Sequence, residues 1–107
     1  MSESANLNNN YGVVRTYYDP PYNTKLYKQY FIVNNKKEGV CNTYRTTGTI
    51  IDKTYYLDNK IIKTENYDED EKLRTQIDET GCFRQYDENG EIIITIENYL
   101  KEMYNDY

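Results

Sequence analysis

The sequence predicts an all-β protein, an antiparallel meander of about four tandem β-hairpins. Two observations lead to this fold class. The first is that residues 39–48 (GVCNTYRTTG) and 81–90 (GCFRQYDENG) share one pattern: glycine, four residues, tyrosine, three residues, glycine. The second is that a short stretch rich in Ile, Val, Thr, Tyr or Leu follows each copy, and such stretches are typical of strands. A repeated strand-turn-strand unit explains both observations.

Two weaker copies of the same pattern bring the number of repeat units to four. Residues 12–17 (GVVRTY) keep the glycine and the tyrosine at the same spacing, whereas residues 62–71 (IKTENYDEDE) keep only the tyrosine. Each copy thus contains one anchor tyrosine, and the four anchors are Tyr17, Tyr44, Tyr67 and Tyr86. Constant chemistry at variable spacing indicates a tandem array whose loops differ in length.

Each anchor precedes a turn and a second strand, so the hairpins provide about eight strands. The strands are expected near residues 11–18, 25–33, 38–45, 49–57, 61–67, 72–77, 81–87 and 91–98. Asn, Asp and Gly residues separate the strands, and these residue types tolerate the positive φ angles of tight turns. Gly48 and Gly90, which end Thr-Thr-Gly and Glu-Asn-Gly, are expected to adopt a left-handed conformation.

The two ends of the chain lack this pattern. Residues 1–10 show no apolar period and are predicted to be a disordered tail, which leaves 11–107 as a single repeat domain. Near the C-terminus, apolar side chains follow one another at helical spacing, at Ile96, Leu100, Met103 and Tyr104. A short C-terminal helix is therefore expected to cap the open end of the array.

Composition and charge exclude several classes of partner. Of the 107 residues, 37% are hydrophobic and 14 are tyrosine, so we expect a folded domain with a thin core. A net charge of −5 disfavours nucleic acid and anionic membrane surfaces, because both attract basic proteins. The N-terminal sequence lacks the basic and apolar parts of a signal peptide, and no stretch approaches about 20 apolar residues. We therefore expect a cytoplasmic protein that is not secreted.

The reactive side chains argue against an enzyme. The chain has no histidine, which is the commonest general base and metal ligand. Cys41 and Cys82 are too few for a thiolate zinc site, and their different distances from the repeat glycines place them on opposite faces, which disfavours a disulfide. The acidic turn 68–71 lacks the spacing of a calcium loop and is predicted to be solvated. We expect no catalytic residue, no metal and no cofactor.

The tyrosines divide into two sets. The anchors are expected to pack within the array, because tyrosine has a high strand propensity and an amphipathic ring. The second set contains the candidate binding residues, Tyr27, Tyr30, Tyr55 and Tyr56. Since Tyr55 and Tyr56 are adjacent on one strand, one of the two rings must point outward. Outward tyrosines are favoured in protein interfaces, so this set is the predicted contact surface.

The repeat resembles the MORN repeat, and more closely a divergent variant found in bacterial antitoxin-like proteins and in giant DNA viruses of amoebae. Two copies carry the likeness, one through Gly39, Tyr44, Gly48, Tyr55, Tyr56, Asn59 and Lys60, and the other through Gly81, Tyr86, Asn89 and Gly90. The resemblance extends over about residues 12–99 and implies an elongated, twisted array that serves as a scaffold or an interaction surface. Ile, Lys, Asn and Tyr, whose codons are rich in A and T, make up 46 of the 107 residues, which favours a giant virus as the source.

These observations favour a non-enzymatic protein that binds another protein or itself, with a homodimer as the expected assembly. Two alternatives stay open. One is a small-ligand binder or a carboxylate-based enzyme that works in a tyrosine-lined groove. The other is an antitoxin-like partner that neutralises a toxin by protein contact.

Overall fold

One antiparallel sheet makes up the fold. The computed structural model describes residues 2–8 and 11–99, and within the first range only the side chains of Glu3 and Ala5. The strands are β1 (Ser2–Asn8), β2 (Tyr11–Tyr17), β3 (Leu26–Val33), β4 (Lys36–Lys37), β5 (Gly39–Tyr44), β6 (Ile50–Leu57), β7 (Lys60–Tyr67), β8 (Leu73–Ile77), β9 (Phe83–Tyr86) and β10 (Ile92–Ile96). Their order across the sheet is β1-β2-β3-β5-β6-β7-β8-β9-β10, and the short β4 pairs with β3. Chain order and spatial order therefore agree, as in a meander.

This architecture confirms the predicted all-β meander. Each of the eight expected strands is present, as β2, β3 and β5 to β10, and no bound differs from the expected one by more than two residues. The predicted C-terminal cap falls on residues 100–107, which lie outside the described residues.

The structure adds strand β1 where the sequence predicts a disordered tail over residues 1–10. β1 pairs with β2 along its whole length, from Ser2 opposite Tyr17 to Asn8 opposite Tyr11. The physical reason is that the outer edge of β2 presents unpaired backbone groups, which an extended segment can satisfy without an apolar pattern of its own. The short strand β4 is a second addition, and it pairs with the end of β3.

Two links between strands are two-residue turns. Asn34 and Asn35 have φ angles of 52° and 63°, and Asp58 and Asn59 have φ angles of 52° and 70°. Positive φ at both central residues is the mark of the type I′ turn, whose twist matches that of the flanking strands. Asn and Asp reach this region more readily than other non-glycine residues, so the sequence explains these links directly.

Four other tight turns share a five-residue pattern. In each, the first backbone N–H donates to the carbonyl of the fifth residue, and the fourth N–H donates to the carbonyl of the first, at 2.8–3.1 Å. The turns begin at Arg45, Asp68, Asp78 and Asp87. The fourth residue has positive φ in every case, at Gly48 (95°), Glu71 (59°), Gly81 (84°) and Gly90 (82°). Gly48 and Gly90 confirm the prediction, whereas Glu71 holds the same backbone conformation with a side chain.

The anchor tyrosines occupy equivalent places in the four hairpins. Each pairs across its own hairpin with an aliphatic residue, and a β-bulge lies beside each pair: Tyr17–Leu26, Tyr44–Ile50, Tyr67–Leu73 and Tyr86–Ile92. Paired residues of an antiparallel ladder point to the same face, so all four anchors lie on one face, which we call the anchor face. The opposite face carries Val14, Tyr30, Cys41, Tyr56 and Phe83, and we call it the cysteine face.

The sheet has only a thin core. Among the described residues, the buried hydrophobic side chains are Val14, Cys41 and Cys82, and both cysteines are free thiols. The anchors are half-buried, which corrects the expectation that they pack inside the array. A single layer explains the difference, because within residues 11–99 no second layer of strands or helices covers the anchor face.

Substitution of the anchors measures how much half-burial contributes to stability. We expect Tyr44→Ala and Tyr86→Ala each to lower the free energy of unfolding by about 1–3 kcal/mol, because a half-buried ring loses less than a fully buried one. Urea unfolding followed by circular dichroism is the measurement. Tyr22→Ala is the control, since the Tyr22 side chain is 52% exposed in a turn, and its effect should stay below about 0.5 kcal/mol. Equal losses for control and anchors would contradict this account.

The fourth residue of the five-residue turns, which has positive φ, gives a second prediction. Substitutions at Gly90 and Glu71 should change the free energy of unfolding in opposite directions. Gly90→Ala should lower the free energy of unfolding by about 1–2 kcal/mol, because a Cβ is strained at φ 82° although the space around it is open. Glu71→Gly should raise it by up to about 1 kcal/mol, because glycine relieves the same strain at φ 59°. The lost bond from the Ile50 N–H to the Glu71 carboxylate, 3.1 Å long, limits that gain. Denaturant unfolding of both variants checks the signs, and a clear loss in Glu71→Gly would show that the turn is not strained there.

Candidate functional site

The structure separates the four candidate tyrosines. Tyr30 and Tyr56 lie on the cysteine face and Tyr55 lies on the anchor face, so the adjacent Tyr55 and Tyr56 rings point in opposite directions. The Tyr27 ring packs edge-on against Tyr18, with 5.1 Å between the ring centroids. All four candidates are half-buried. They do not form one outward surface, and only Tyr30 and Tyr56 come together.

A lysine lies between the two tyrosines of the cysteine face. The Lys37 ammonium is 4.8 Å from the centroid of the Tyr30 ring and 5.1 Å from that of the Tyr56 ring. Cation–π contacts at these distances stabilise an ammonium that has lost part of its hydration. Burial raises the pKa of both tyrosine hydroxyls, which keeps them protonated. The two rings therefore already have a cationic partner within the chain.

Cys41 lies on the same face and is 3% exposed. Burial raises the pKa of its thiol, although Lys28 and Lys37 act in the opposite direction. Nucleophilic cysteines need a lowered pKa and access to solvent. Cys41 therefore packs as a small apolar side chain.

A carboxylate joins two tyrosines on the anchor face. Glu65 accepts hydrogen bonds from the hydroxyls of Tyr55, at 2.8 Å, and Tyr67, at 3.1 Å. The Lys63 ammonium lies 3.8 Å from the same carboxylate and 5.2 Å from the centroid of the Tyr55 ring. Burial, followed by the hydrogen bond to Glu65, raises the pKa of each tyrosine to about 12. These hydroxyls are fixed donors and do not act as acids near neutral pH.

Donor side chains reach three of the four anchor carbonyls, and we call these contacts the carbonyl clasps. The pairs are Tyr18 Oη to Tyr44 O at 2.6 Å, Arg45 Nη2 to Tyr67 O at 3.0 Å, and Arg74 Nε to Tyr86 O at 3.1 Å. Tyr18 and Arg45 directly follow β2 and β5, and Arg74 lies on β8. Each accepting carbonyl belongs to the last residue of a later strand, where the ladder stops supplying donors. The clasps therefore hold successive hairpins together at their turn ends.

The acidic turn that begins at Asp68 is bonded internally. The Asp68 carboxylate accepts the N–H groups of Asp70 and Lys72, at 2.9 and 3.0 Å, and lies 3.3 Å from an Arg74 nitrogen. The bond from the Lys72 N–H is the largest of the effects that lower the pKa of Asp68. Within residues 2–8 and 11–99, no three His, Cys, Asp or Glu side chains are arranged to hold a metal ion. The Asp68 side chain therefore closes its own turn.

A surface groove of about 580 Å³ lies between the turns that begin at Arg45 and Asp68. Tyr18 lines it together with Glu69 and Asp70, so it is the place to look for a ligand site of tyrosine and carboxylates. The Tyr18 hydroxyl is already used in a clasp, and the Arg45 guanidinium donates to three backbone carbonyls. Glu69 and Asp70 are exposed to solvent. The groove thus offers a ligand few fixed polar groups that lack a partner.

Sequence reasoning missed an exposed apolar segment. In β10, Ile92, Ile93 and Ile94 are 56%, 55% and 42% exposed. β10 ends the strand order, so its outer backbone edge meets no other strand in the part of the chain that the structure describes. The signal in the sequence is the run of three isoleucines, which breaks the in-out alternation of a half-buried strand. Such a strand at a sheet edge is a ready template for pairing.

Known proteins do not assign a function to this geometry. Comparisons of the chain with protein-family models, with curated proteins and with solved structures find no match. The resemblance to the MORN repeat therefore stays a prediction. None of the described segments is a helix with the length and apolar character needed to cross a membrane.

The hydrogen bonds from Tyr55 and Tyr67 to Glu65 lead to a prediction about the pKa values of the two tyrosines. In Glu65→Gln the pKa values of Tyr55 and Tyr67 should fall from about 12 part of the way toward 10.0, because burial, the largest cause of the rise, remains, whereas the charge of Glu65 and the hydrogen bond to its carboxylate are removed. Because folding raises these pKa values, the stability that they contribute is present below pH 10 and is lost as the pH rises through about 12. NMR titration of the ring signals is the measurement. Glu88→Gln, at an exposed turn position, is the control, and unchanged pKa values in Glu65→Gln would refute the assignment.

Proposed function

We propose that this protein is a non-enzymatic interaction module that pairs through strand β10, and that its partner is a second copy of the chain. The observation that carries the proposal is the exposure of Ile92, Ile93 and Ile94 on a strand whose outer edge is open within the described residues. Strand addition satisfies the unpaired backbone groups of such an edge. It also removes the apolar side chains from water, which favours association.

A second copy fits this edge through two-fold symmetry. Two β10 strands that run antiparallel bring the same residues together from both copies, which is a closed contact and does not propagate into a fibre. With Ile94 opposite its own counterpart, Ile93 lies opposite Thr95 of the second copy, and both residue types favour strands. The same register places Glu91 opposite Glu97, and like charges at that position oppose pairing.

The size of the edge limits the strength of this association. Stable interfaces bury about 800 Å² on each partner, which is more than three half-exposed isoleucine side chains provide. We therefore expect a weak dimer whose population depends on concentration. Salt should strengthen it, because screening reduces the repulsion between Glu91 and Glu97.

The use of the reactive groups supports a non-enzymatic role. The Cys41 thiol is buried and its pKa is raised, and Glu65 is occupied by two tyrosine hydroxyls. Asp68 accepts two backbone N–H groups within its own turn. An enzyme needs a nucleophile or base that is free to reach a substrate, and these groups are engaged in structural contacts.

The repeat geometry supports a MORN-like assignment as part of the same proposal. The four hairpins place an anchor tyrosine opposite an aliphatic partner at equivalent positions, as tandem units do. Composition is the ground for extending the proposal to a cytoplasmic protein of a giant DNA virus. The proposed self-association rests on β10, whereas the MORN-like assignment rests on the repeat geometry. Either proposal can therefore fail without the other.

Light scattering after size exclusion tests the association. The mass of the full chain should rise from 12.9 kDa toward twice that value as the concentration increases between about 10 μM and 1 mM. Ile93→Lys should stay monomeric, because lysine on an edge strand blocks pairing. Leu57→Lys is the matched control, since Leu57 is 59% exposed but lies on an interior strand, and it should associate like the parent. A parent chain that is monomeric throughout, or a dimer that survives Ile93→Lys, would overturn the proposal.

A further inference from the structure

Charge is distributed unevenly across the sheet. Residues 1–60 contain eight basic and five acidic side chains, whereas residues 61–99 contain four basic and eleven acidic ones. Because chain order and spatial order agree, the first range supplies β1 to β6 and the second supplies β7 to β10. The asymmetry of the sequence is therefore an asymmetry in space, and the half of the sheet that holds the last two hairpins attracts cations.

A groove lies within this acidic half, between the last two hairpins. It has two parts, of about 520 and 370 Å³, which share Lys72 and Glu88. Leu73 and Tyr86 line the larger part and are half-buried, whereas Lys72 and Glu88 are exposed. We call the two parts together the terminal groove, with Leu73 and Tyr86 at its bottom.

The bottom of the terminal groove is apolar and held by its own contacts. The Tyr86 hydroxyl donates to Gln76 at 3.0 Å, and Leu73 pairs with Tyr67 across the third hairpin. The aliphatic stem of a lysine or arginine packs against such a surface while its charged head stays in a polar environment. An aromatic ring beneath the head adds a cation–π contact.

Three carboxylates line the terminal groove, those of Glu69, Asp70 and Glu88. All three residues are exposed, and within residues 2–8 and 11–99 none of these carboxylates takes part in a hydrogen bond or an ion pair. The Lys72 ammonium, which donates to the Glu88 carbonyl at 3.4 Å, offsets one of the three charges. The groove therefore keeps an excess of two negative charges above an apolar bottom.

An equivalent groove between the first two hairpins has a different charge. Its volume is about 330 Å³, and Leu26 and Tyr44 take the places of Leu73 and Tyr86. The turn after the anchor reads Arg-Thr-Thr there and Asp-Glu-Asn at the terminal groove. Since the apolar residues are alike, charge is what distinguishes the two grooves, and only the terminal groove complements a cation.

We propose that the terminal groove binds a basic segment of a partner protein, with one arginine or lysine side chain in the groove. The stem of that side chain packs against Leu73 and the Tyr86 ring, and its head lies among the three carboxylates. Arginine is favoured, because a guanidinium forms two parallel hydrogen bonds with a carboxylate. The inference does not rest on self-association, since the residues that line the groove do not include β10.

Fluorescence anisotropy of a dye-labelled octapeptide of alternating arginine and serine, titrated with the full chain, tests the binding. A peptide with glutamate in place of arginine should not bind. Glu88→Lys should weaken binding of the arginine peptide at least about ten-fold. Glu79→Lys is the matched control, because Glu79 is an exposed acid about 20 Å away beyond the other end of β8, and its effect should stay below about two-fold.

A third variant and an NMR titration make the test specific to this groove. Lys72→Gln should raise the affinity for the arginine peptide about two- to five-fold, because it removes a like charge. The arginine peptide should shift the amide signals of Leu73 and Tyr86 and leave those of Leu26 and Tyr44, in the equivalent groove, unchanged.

Any one of three results would overturn the inference. These are equal affinity for the arginine and glutamate peptides, equal losses in Glu88→Lys and Glu79→Lys, and weaker binding in Lys72→Gln. Equal signal shifts in both grooves would also reject it, because binding would then follow the apolar residues alone. Salt keeps the result apart from self-association: it should weaken binding of the arginine peptide and strengthen the dimer through β10.

Discussion

The hydrogen-bond ladder between neighbouring strands is the interaction on which the rest of this structure depends. The described residues form one layer of strands, and the buried hydrophobic side chains among them are Val14, Cys41 and Cys82. In a two-layer domain a facing layer covers each strand, whereas here the strands on either side provide most of the cover. Stability is therefore a sum over neighbouring hairpins, and no central core compensates for a lost neighbour.

This constraint explains why the chain uses so much tyrosine. A half-buried position needs a side chain that packs along its length and ends in a group that meets water or a polar partner. Tyr55 and Tyr67 donate to Glu65 in this way, and Tyr18 donates to the Tyr44 carbonyl. The anchor face is also crossed by a row of directly paired polar residues, Arg15, Gln29, Asn42, Lys53, Glu65, Gln76, Arg84 and Thr95. Water at one face of the sheet makes such a row tolerable.

Short sequence segments were enough to predict where the strands and turns lie. They did not predict how deeply the side chains are buried or which face of the sheet they occupy. Anchor tyrosines and glycine-ended turns located the eight repeat strands, because turn chemistry and strand propensity are local properties. Glu71 shows where local reasoning stops: it adopts the conformation of a glycine, because the bonds that Asp68 makes close the turn around it. The half-burial of Tyr44 and the placement of Tyr55 and Tyr30 on opposite faces depend on the number of layers and on the register. No single segment specifies these.

The two edge strands of the meander differ in polarity, whereas the anchor positions within the repeat are alike. At the first end, β1 pairs with β2 through SESANLN, a sequence that is mostly polar. At the other end, β10 shows isoleucine on both faces, with Ile92 beside the last anchor and Ile94 opposite. In the interior hairpins a following strand helps to cover the residues equivalent to Ile92, and Ile50 and Leu73 are half-buried there. An apolar edge strand is a liability unless something covers it, so the interactions of this protein are to be sought where the repeat stops.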